Sequence, residues 1–204
     1  MDSLRQGLIK KLGKENLERI EKTRVGIAGA GGLGSNCSLC LVRSGFRRLK
    51  VVDFDKVSPG NLDRQFYFAD QVGEAKVEAL KTNLLRVNPE LEIESCVIRI
   101  EEKNIAGLFA DCDIVVECFD SREAKCMLCD KLLEEGKFVV AASGLGGFGS
   151  SDQIRVHAFN KNFLVIGDLK SDIKDKPALS PRVSIAAAKQ ADCVLEYVLK
   201  KNSQ

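Results

Sequence analysis

The stretch Arg24-Val-Gly-Ile-Ala28-Gly29-Ala-Gly31-Gly32-Leu-Gly34 decides how the rest of the chain is read. Five residues of short apolar strand run into a G-x-G-x-x-G turn, and a helical pattern follows to about Ser44. Glycines let a backbone turn tightly and approach a phosphate closely. The helix they open offers unpaired N–H groups and a positive dipole end. Strand, glycine turn and helix in this order predict a nucleotide-binding unit, where a lone match would predict only a tight turn.

Working outward, strands and helices alternate. Strands are expected at 49–54, 91–100, 113–117 and 137–142. Helices are expected at 74–87, stopped by Asn88-Pro89, and at 102–110 and 121–135. Such alternation predicts an α/β fold, a Rossmann-like and mostly parallel sheet with helices on both faces. Before it, Leu4, Leu8, Leu12 and Ile20 share a face and predict one amphipathic helix over 3–20, in spite of Gly7 and Gly13. After Gly144 the pattern changes. Segments 153–159 and 163–166 flank Asn160-Lys-Asn162 and read as an antiparallel hairpin. Residues 167–182, with Pro177 and Pro181, read as a mobile loop, and a last helix is expected over 183–200. The division is one nucleotide-binding unit over 1–204: an N-terminal helix over 1–20, an α/β core over 24–142, and the hairpin, loop and helix over 143–204.

Bulk properties exclude several classes. The 204 residues carry 31 basic and 29 acidic side chains, so no general attraction to nucleic acid or to an anionic membrane is expected. The first 24 residues carry charges throughout, unlike a signal peptide, and no apolar run is long enough for a bilayer. The expectation is a soluble cytoplasmic protein. Eight cysteines without a secretory signal are read as free thiols rather than disulfides, with Cys112, Cys118 and Cys193 inside apolar segments. The one histidine, His157, falls in the hairpin and is read as structural or exposed.

The choice of nucleotide rests on what lies near the C-terminal ends of the expected strands. Asp53 ends the second strand about twenty residues beyond the turn, where an acid meets ribose hydroxyls. NAD and ATP fit equally at this point. Asn61-Leu-Asp-Arg64-Gln65 follows in the next loop, Lys76 opens the next helix, and Asp120 follows the 113–117 strand. Two cations can neutralise a triphosphate and Asp120 can hold a magnesium ion. Each alone also fits a solvated side chain; the joint placement points to ATP.

These residues resemble the ThiF/MoeB group, relatives of the ubiquitin-activating enzymes. The likeness is carried by Gly29-Ala-Gly-Gly-Leu-Gly-Ser35, Val52-Asp-Phe-Asp-Lys-Val-Ser58, Asn61-Leu-Asp-Arg-Gln65, Lys76 and the strand ending at Asp120. It runs from about residue 20 to 200, and the short length is similar to the compact ThiF subtype of thiamine biosynthesis. The resemblance implies ATP and Mg2+ as cofactors. Gly29, Gly31, Gly32 and Gly34 approach the phosphates, Asp53 binds ribose, and Asn61, Arg64, Gln65 and Lys76 bind the nucleotide. Arg64, Lys76 and Asp120 are the expected catalytic residues, with Asp120 the magnesium ligand. The implied partner is a small β-grasp sulfur carrier protein ending in Gly-Gly, ThiS-like, whose carboxylate attacks the α-phosphorus. A homodimer is implied, with Arg5 or Arg19 as a donor to the neighbour's site.

Two departures stand out. Larger relatives bind zinc through two Cys-x-x-Cys pairs in the C-terminal part. Here Cys37-Ser-Leu-Cys40 and Cys126-Met-Leu-Cys129 fall inside expected helices, so buried thiols and no zinc are expected. Relatives also carry a cysteine in the loop over the site, and 167–182 has none. That loop is expected to act as a lid that gates the carrier rather than ATP. Competing readings are an NAD-dependent oxidoreductase, a non-catalytic carrier-binding scaffold, and an adenylylating enzyme for a different carrier or tRNA.

Overall fold

The computed structural model describes residues 3–200; residues 1–2 and 201–204, the two ends of the expected unit, lie outside the described residues. Seven strands form one sheet: β1 (Arg24–Ala28), β2 (Arg48–Val52), β3 (Glu92–Cys96), β4 (Ile114–Glu117), β5 (Phe138–Ala142), β6 (Arg155–Asn160) and β7 (Phe163–Gly167). Their order is β3-β2-β1-β4-β5-β7-β6. All neighbours are parallel except the β6–β7 hairpin. The helices are α1 (Ser3–Leu12), α2 (Lys14–Lys22), α3 (Gly32–Arg43), α4 (Lys76–Val87), α5 (Glu102–Phe109), α6 (Arg122–Glu134) and α7 (Ser180–Lys200). This is the Rossmann-like α/β fold expected from the alternation.

Alternate strand residues feed two cores, as the period of two in a strand requires. Val25, Ile27, Val51, Ile114, Val116 and Val140 face α2, α3, α4 and α7. Ala28, Val52, Val115 and Val139 face α5 and α6. The helix starts have local causes. A side-chain bond from the Ala124 N–H to Ser121 caps α6 at 3.3 Å. Pro181 sits in the first turn of α7, where its missing N–H costs nothing. The longest helix, α7, lies against α3 and stacks Tyr197 on Phe138 of β5, with ring centroids 3.8 Å apart.

Several expectations are corrected. The single helix over 3–20 is two helices: Gly13 takes φ 80°, outside the helical region, and separates α1 from α2. The strands expected at 49–54 and 91–100 end at Val52 and Cys96, so Asp53 lies past its strand. Helix α7 starts at Ser180 rather than 183, because Pro181 opens it instead of ending a loop. The segment 167–182 is not free. Its N–H groups at Lys170 and Ser171 bond Asp168, Lys174 N–H bonds Asp172, and Ala178 pairs with Gly147. Composition alone hid these bonds, since the Asp side chains that lower apolar content also close the turns.

Candidate active site

On the sheet's carboxyl edge, β1 and β4 are the neighbours at which the strand order reverses. Ligands in open α/β sheets collect at this point. A cavity of about 870 Å³ opens there, walled by the ends of β1, β2, β4 and β5. Its floor is the glycine turn. Gly29 takes φ 99°, and a Cβ on Gly34 would lie 1.8 Å from the Gly29 carbonyl oxygen. Only glycine lets the helix start this close to the strand it leaves, so the first N–H groups of α3 face the cavity.

The neighbouring loop is tied to this turn. Ser35 Oγ donates to Gly31 O at 2.7 Å and accepts Phe66 N–H at 3.0 Å. Asn36 Nδ2 donates to Gly32 O and Arg64 O. Tyr67, buried, donates from its hydroxyl to Ala30 O at 2.6 Å; burial, and secondarily Asp53, push that phenol's pKa well above its usual value. These bonds hold the 61–68 segment in one place and bring Arg64 and Gln65 to the wall of the cavity.

Most of the residues singled out in the sequence meet here: Gly29, Gly31, Gly32, Asp53, Arg64, Gln65, Lys76 and Asp120 all line the cavity. Asp53 braces the turn, with Oδ2 accepting Ala30 N–H at 2.7 Å and Oδ1 accepting Asp55 N–H at 2.8 Å. Lys76 is 6% exposed and pairs with Asp55 at 2.9 Å. Arg64 pairs with Asp63 at 2.7 Å and also donates to Gly60 O. Both carboxylate partners are about half exposed (48% and 51%), so a polyanion can displace them into water at little cost. Gln65 lines the cavity, and its Oε1 is buried without a hydrogen-bond partner. Asn61 and Gly34 do not line the cavity. Asn61 Oδ1 accepts Ser58 N–H at 3.1 Å and closes a short 3-10 turn.

Asp120 lies exposed at the start of α6 and its carboxylate makes no hydrogen bond or ion pair. A single free carboxylate beside a phosphate cradle fits magnesium, which keeps several waters and takes one or two carboxylates plus phosphate oxygens. Six cations line the cavity (Arg64, Lys76, Arg99, Arg122, Lys125 and Lys170) against four carboxylates (Asp53, Asp55, Asp120 and Asp172). Arg64, Lys76 and Lys125 already hold carboxylate partners, while Arg99, Arg122 and Lys170 form no salt bridge among the described residues and offer their charge to a polyanion.

Sequence reasoning missed some of these groups. Lys125 Nζ sits 3.0 Å from both oxygens of Glu117, which is fully enclosed. Glu117 also accepts the N–H groups of Phe119 and Ala142, joining the ends of β4 and β5 under the cavity. Arg99 lies over the Phe54 ring at 4.0 Å on the rim. A Glu in a run of apolar residues, eight before a Lys on a helix, was the one available signal for the first pair. Neither arginine expected to serve a neighbour's site is unengaged. Arg5 pairs with Glu21 at 2.8 Å. Arg19 donates to the carbonyls of Val198 and Leu199 at the end of α7. His157 meets Gly167 O at 3.0 Å within the hairpin, away from the cavity wall. Among the described residues no helix is long and apolar enough to cross a membrane.

Comparison with known proteins bears on this arrangement. The chain is 38% identical over 143 residues to the adenylyltransferase and sulfurtransferase UBA4 of Candida glabrata, covering 70% of this chain and 32% of that protein. It is 36% identical over 118 residues to the molybdopterin-synthase adenylyltransferase of Escherichia coli K12, covering 57% of this chain and 47% of that protein. It thus spans from about a third to a half of these curated relatives. The fold is that of E. coli tRNA N6-threonylcarbamoyladenosine dehydratase in complex with AMP. The TM-score is 0.91 at 20% identity, over 100% of this chain and 98% of that one. It is also similar to E. coli MccB with ATP, with TM-score 0.71 at 25% identity, over 91% of this chain and 59% of that one. The sequence model of the ThiF family matches residues 4–204, and the chain belongs to that family.

Proposed function

We propose that this chain binds ATP with magnesium and adenylylates the C-terminal carboxylate of a small Gly-Gly-ending carrier protein, a ThiS-like sulfur carrier, with release of pyrophosphate. One observation carries the reading: Arg64, Lys76 and Asp120 line one cavity with the open N-terminus of α3. The names of the curated relatives, both adenylyltransferases, support the same chemistry.

The α3 N–H groups donate to phosphate oxygens, Asp53 offers its remaining lone pairs to the ribose hydroxyls, and Gln65 flanks the nucleotide from the cavity wall. Arg64 and Lys76 exchange Asp63 and Asp55 for the triphosphate. Asp120 would hold magnesium, which would supply charge neutralisation at the phosphates. Two anions must meet in this reaction, so positioning and fixed positive charge do the work, without a nucleophile or a general base from the protein.

Carrier-dependent ATP–pyrophosphate exchange tests the proposal. Exchange with a purified ThiS-type carrier, and its loss when the terminal Gly-Gly is deleted, is the expected result. Exchange with tRNA alone would move the acceptor to that class. Calorimetric binding of NAD with no binding of ATP would return the chain to the oxidoreductase reading.

A further inference from the structure

Two straps roof the cavity. One leaves β5 and runs through 143–150; the other leaves β7 and runs through 168–178. Ser143, Gly144 and Leu145 of the first and Leu169, Lys170 and Ser171 of the second line the cavity. The straps are stitched together. Leu169 N–H donates to Ser143 O at 3.3 Å, Asp168 N–H to Gly144 O at 3.2 Å, and Gly147 N–H to Pro177 O at 2.9 Å.

Both straps hang on one side chain. Arg182, in the first turn of α7 and 4% exposed, donates from Nη1 to Gly149 O at 2.8 Å and from Nη2 to Asp168 Oδ2 at 2.6 Å. Asp168 divides its labour: Oδ1 accepts Lys170 N–H at 2.9 Å and Ser171 N–H at 2.8 Å, while Oδ2 serves Arg182. Immediately after each point of attachment the backbone turns left-handed at a residue other than glycine. Ser150 follows Gly149 with φ 47°, and Leu169 follows Asp168 with φ 60°. A residue with a Cβ pays for this conformation and keeps it only where its surroundings impose it. Leu169 is 42% exposed, so little burial offsets that cost. The bonds at Asp168 and Arg182 are what impose it.

We propose that the Arg182–Asp168 ion pair is a latch that closes the two straps as one roof, and that these two are positioning residues for the acceptor's chain end rather than for the nucleotide. This rests on the adenylyltransferase reading. The nucleotide wall is built from other parts: the glycine turn, the 61–68 segment, Lys76 and Asp120. Release of the latch therefore loosens the roof and leaves that wall standing. An extended chain end beneath the roof loses its guide, and water gains entry. Water adds its oxygen to the acyl carbon of the adenylate and the bond from that carbon to the AMP oxygen breaks. AMP departs with the electron pair, the acceptor is left as a free carboxylate, and the two protons of the water pass to solvent.

Asp168→Asn separates the latch from the turn, because asparagine keeps Oδ1 for Lys170 and Ser171 and presents an amide to Arg182 instead of a carboxylate. Arg182→Lys is the second variant, with the charge kept and the two-armed geometry lost. Amide hydrogen exchange is measured first, on the chain without ligands. The expected result is exchange faster by about tenfold at Gly147, Leu169, Lys170 and Ser171 together, judged against amides of β1 and β4. A change confined to 168–171, or one uniform across the sheet, overturns the latch. Kinetics follow, with a ThiS-type carrier ending in Gly-Gly as the acceptor probe. ATP affinity should stay within about twofold, while KM for the carrier rises by about fivefold or more and AMP released per pyrophosphate increases. An unchanged carrier KM overturns the positioning role. If wild type shows no exchange with the carrier yet the amides respond as described, the functional reading fails and the latch stands.

Discussion

Lys125→Met tests how the floor of the cavity is held. Glu117 is 0% exposed and its carboxylate takes four hydrogen bonds from three donors, two from Lys125 Nζ and one each from the N–H groups of Phe119 and Ala142. Methionine keeps the alkyl stem and removes the ammonium, which leaves a buried carboxylate with two backbone donors. Breaking a buried pair from one side costs about 3–5 kcal/mol. Lys125 retains 21% of its side-chain exposure on the cavity side, so water reaches the vacated place. The expected loss is accordingly at or just under the lower end, about 2–3 kcal/mol. For a chain of this size that lowers Tm by roughly 4–12 °C, at roughly 2–4 °C per kcal/mol. Urea unfolding followed by circular dichroism gives the free energy. The double variant Glu117→Gln with Lys125→Met should recover most of the loss, since no charge is then stranded. A single variant within about 0.5 kcal/mol of wild type would refute the reasoning, since that is the range of ordinary surface substitutions.

Asp120→Ala should lower carrier-dependent pyrophosphate exchange by about a hundredfold or more without moving the urea midpoint; Arg64→Ala should behave alike, and Arg64→Lys should restore only part because the two-pronged guanidinium is lost. Elemental analysis should find no stoichiometric zinc, and one zinc per chain would overturn the thiol reading. In a timed iodoacetamide reaction the exposed Cys126 should label first, while Cys37 and Cys118, whose thiol pKa values burial pushes well up, stay unmodified until unfolding. Burial opposes ionisation of Asp168, but the N–H groups of Ser171 and Lys170 and the Arg182 guanidinium together hold its carboxyl below the usual range. The sign of the linkage follows. The contribution of Asp168 is fully present above the ordinary aspartate value, about 4, and is lost as pH falls through the still lower folded value. Hydrogen-exchange protection of the roof, corrected for intrinsic rates, should be flat from neutrality to that range and fall only below it.

What could be read without coordinates was whatever a local rule governs. The glycine turn announced itself because strand, turn and helix are contiguous, and Arg64, Lys76 and Asp120 could be grouped because parallel strands bring their carboxyl ends to one edge. The break at Gly13 was missed because an apolar face persists across it while a single φ decides the geometry. The Glu117–Lys125 and Asp168–Arg182 pairs are out of reach of pattern reading, since their partners are joined by strand ends and straps rather than by a helical or strand period. Nothing in the composition of 167–182 told that its aspartates bond their own turns.

The packing of α7 on α3 has a consequence for the order of synthesis. Helix α3 is complete at Arg43, but the face it buries waits for a helix that begins at Ser180. At roughly 5–20 residues per second, a ribosome needs about ten to thirty seconds to make the intervening chain. For that interval the nascent half-sheet carries the apolar side of α3, with Cys37 and Leu41 on it, uncovered. Arg19 then reaches its carbonyl partners on Val198 and Leu199 only with the last residues described. The helical cover on this side of the sheet is thus completed by the docking of one long helix onto a nearly finished sheet. A stall before Ser180 would leave a sticky intermediate of the kind that chaperones engage.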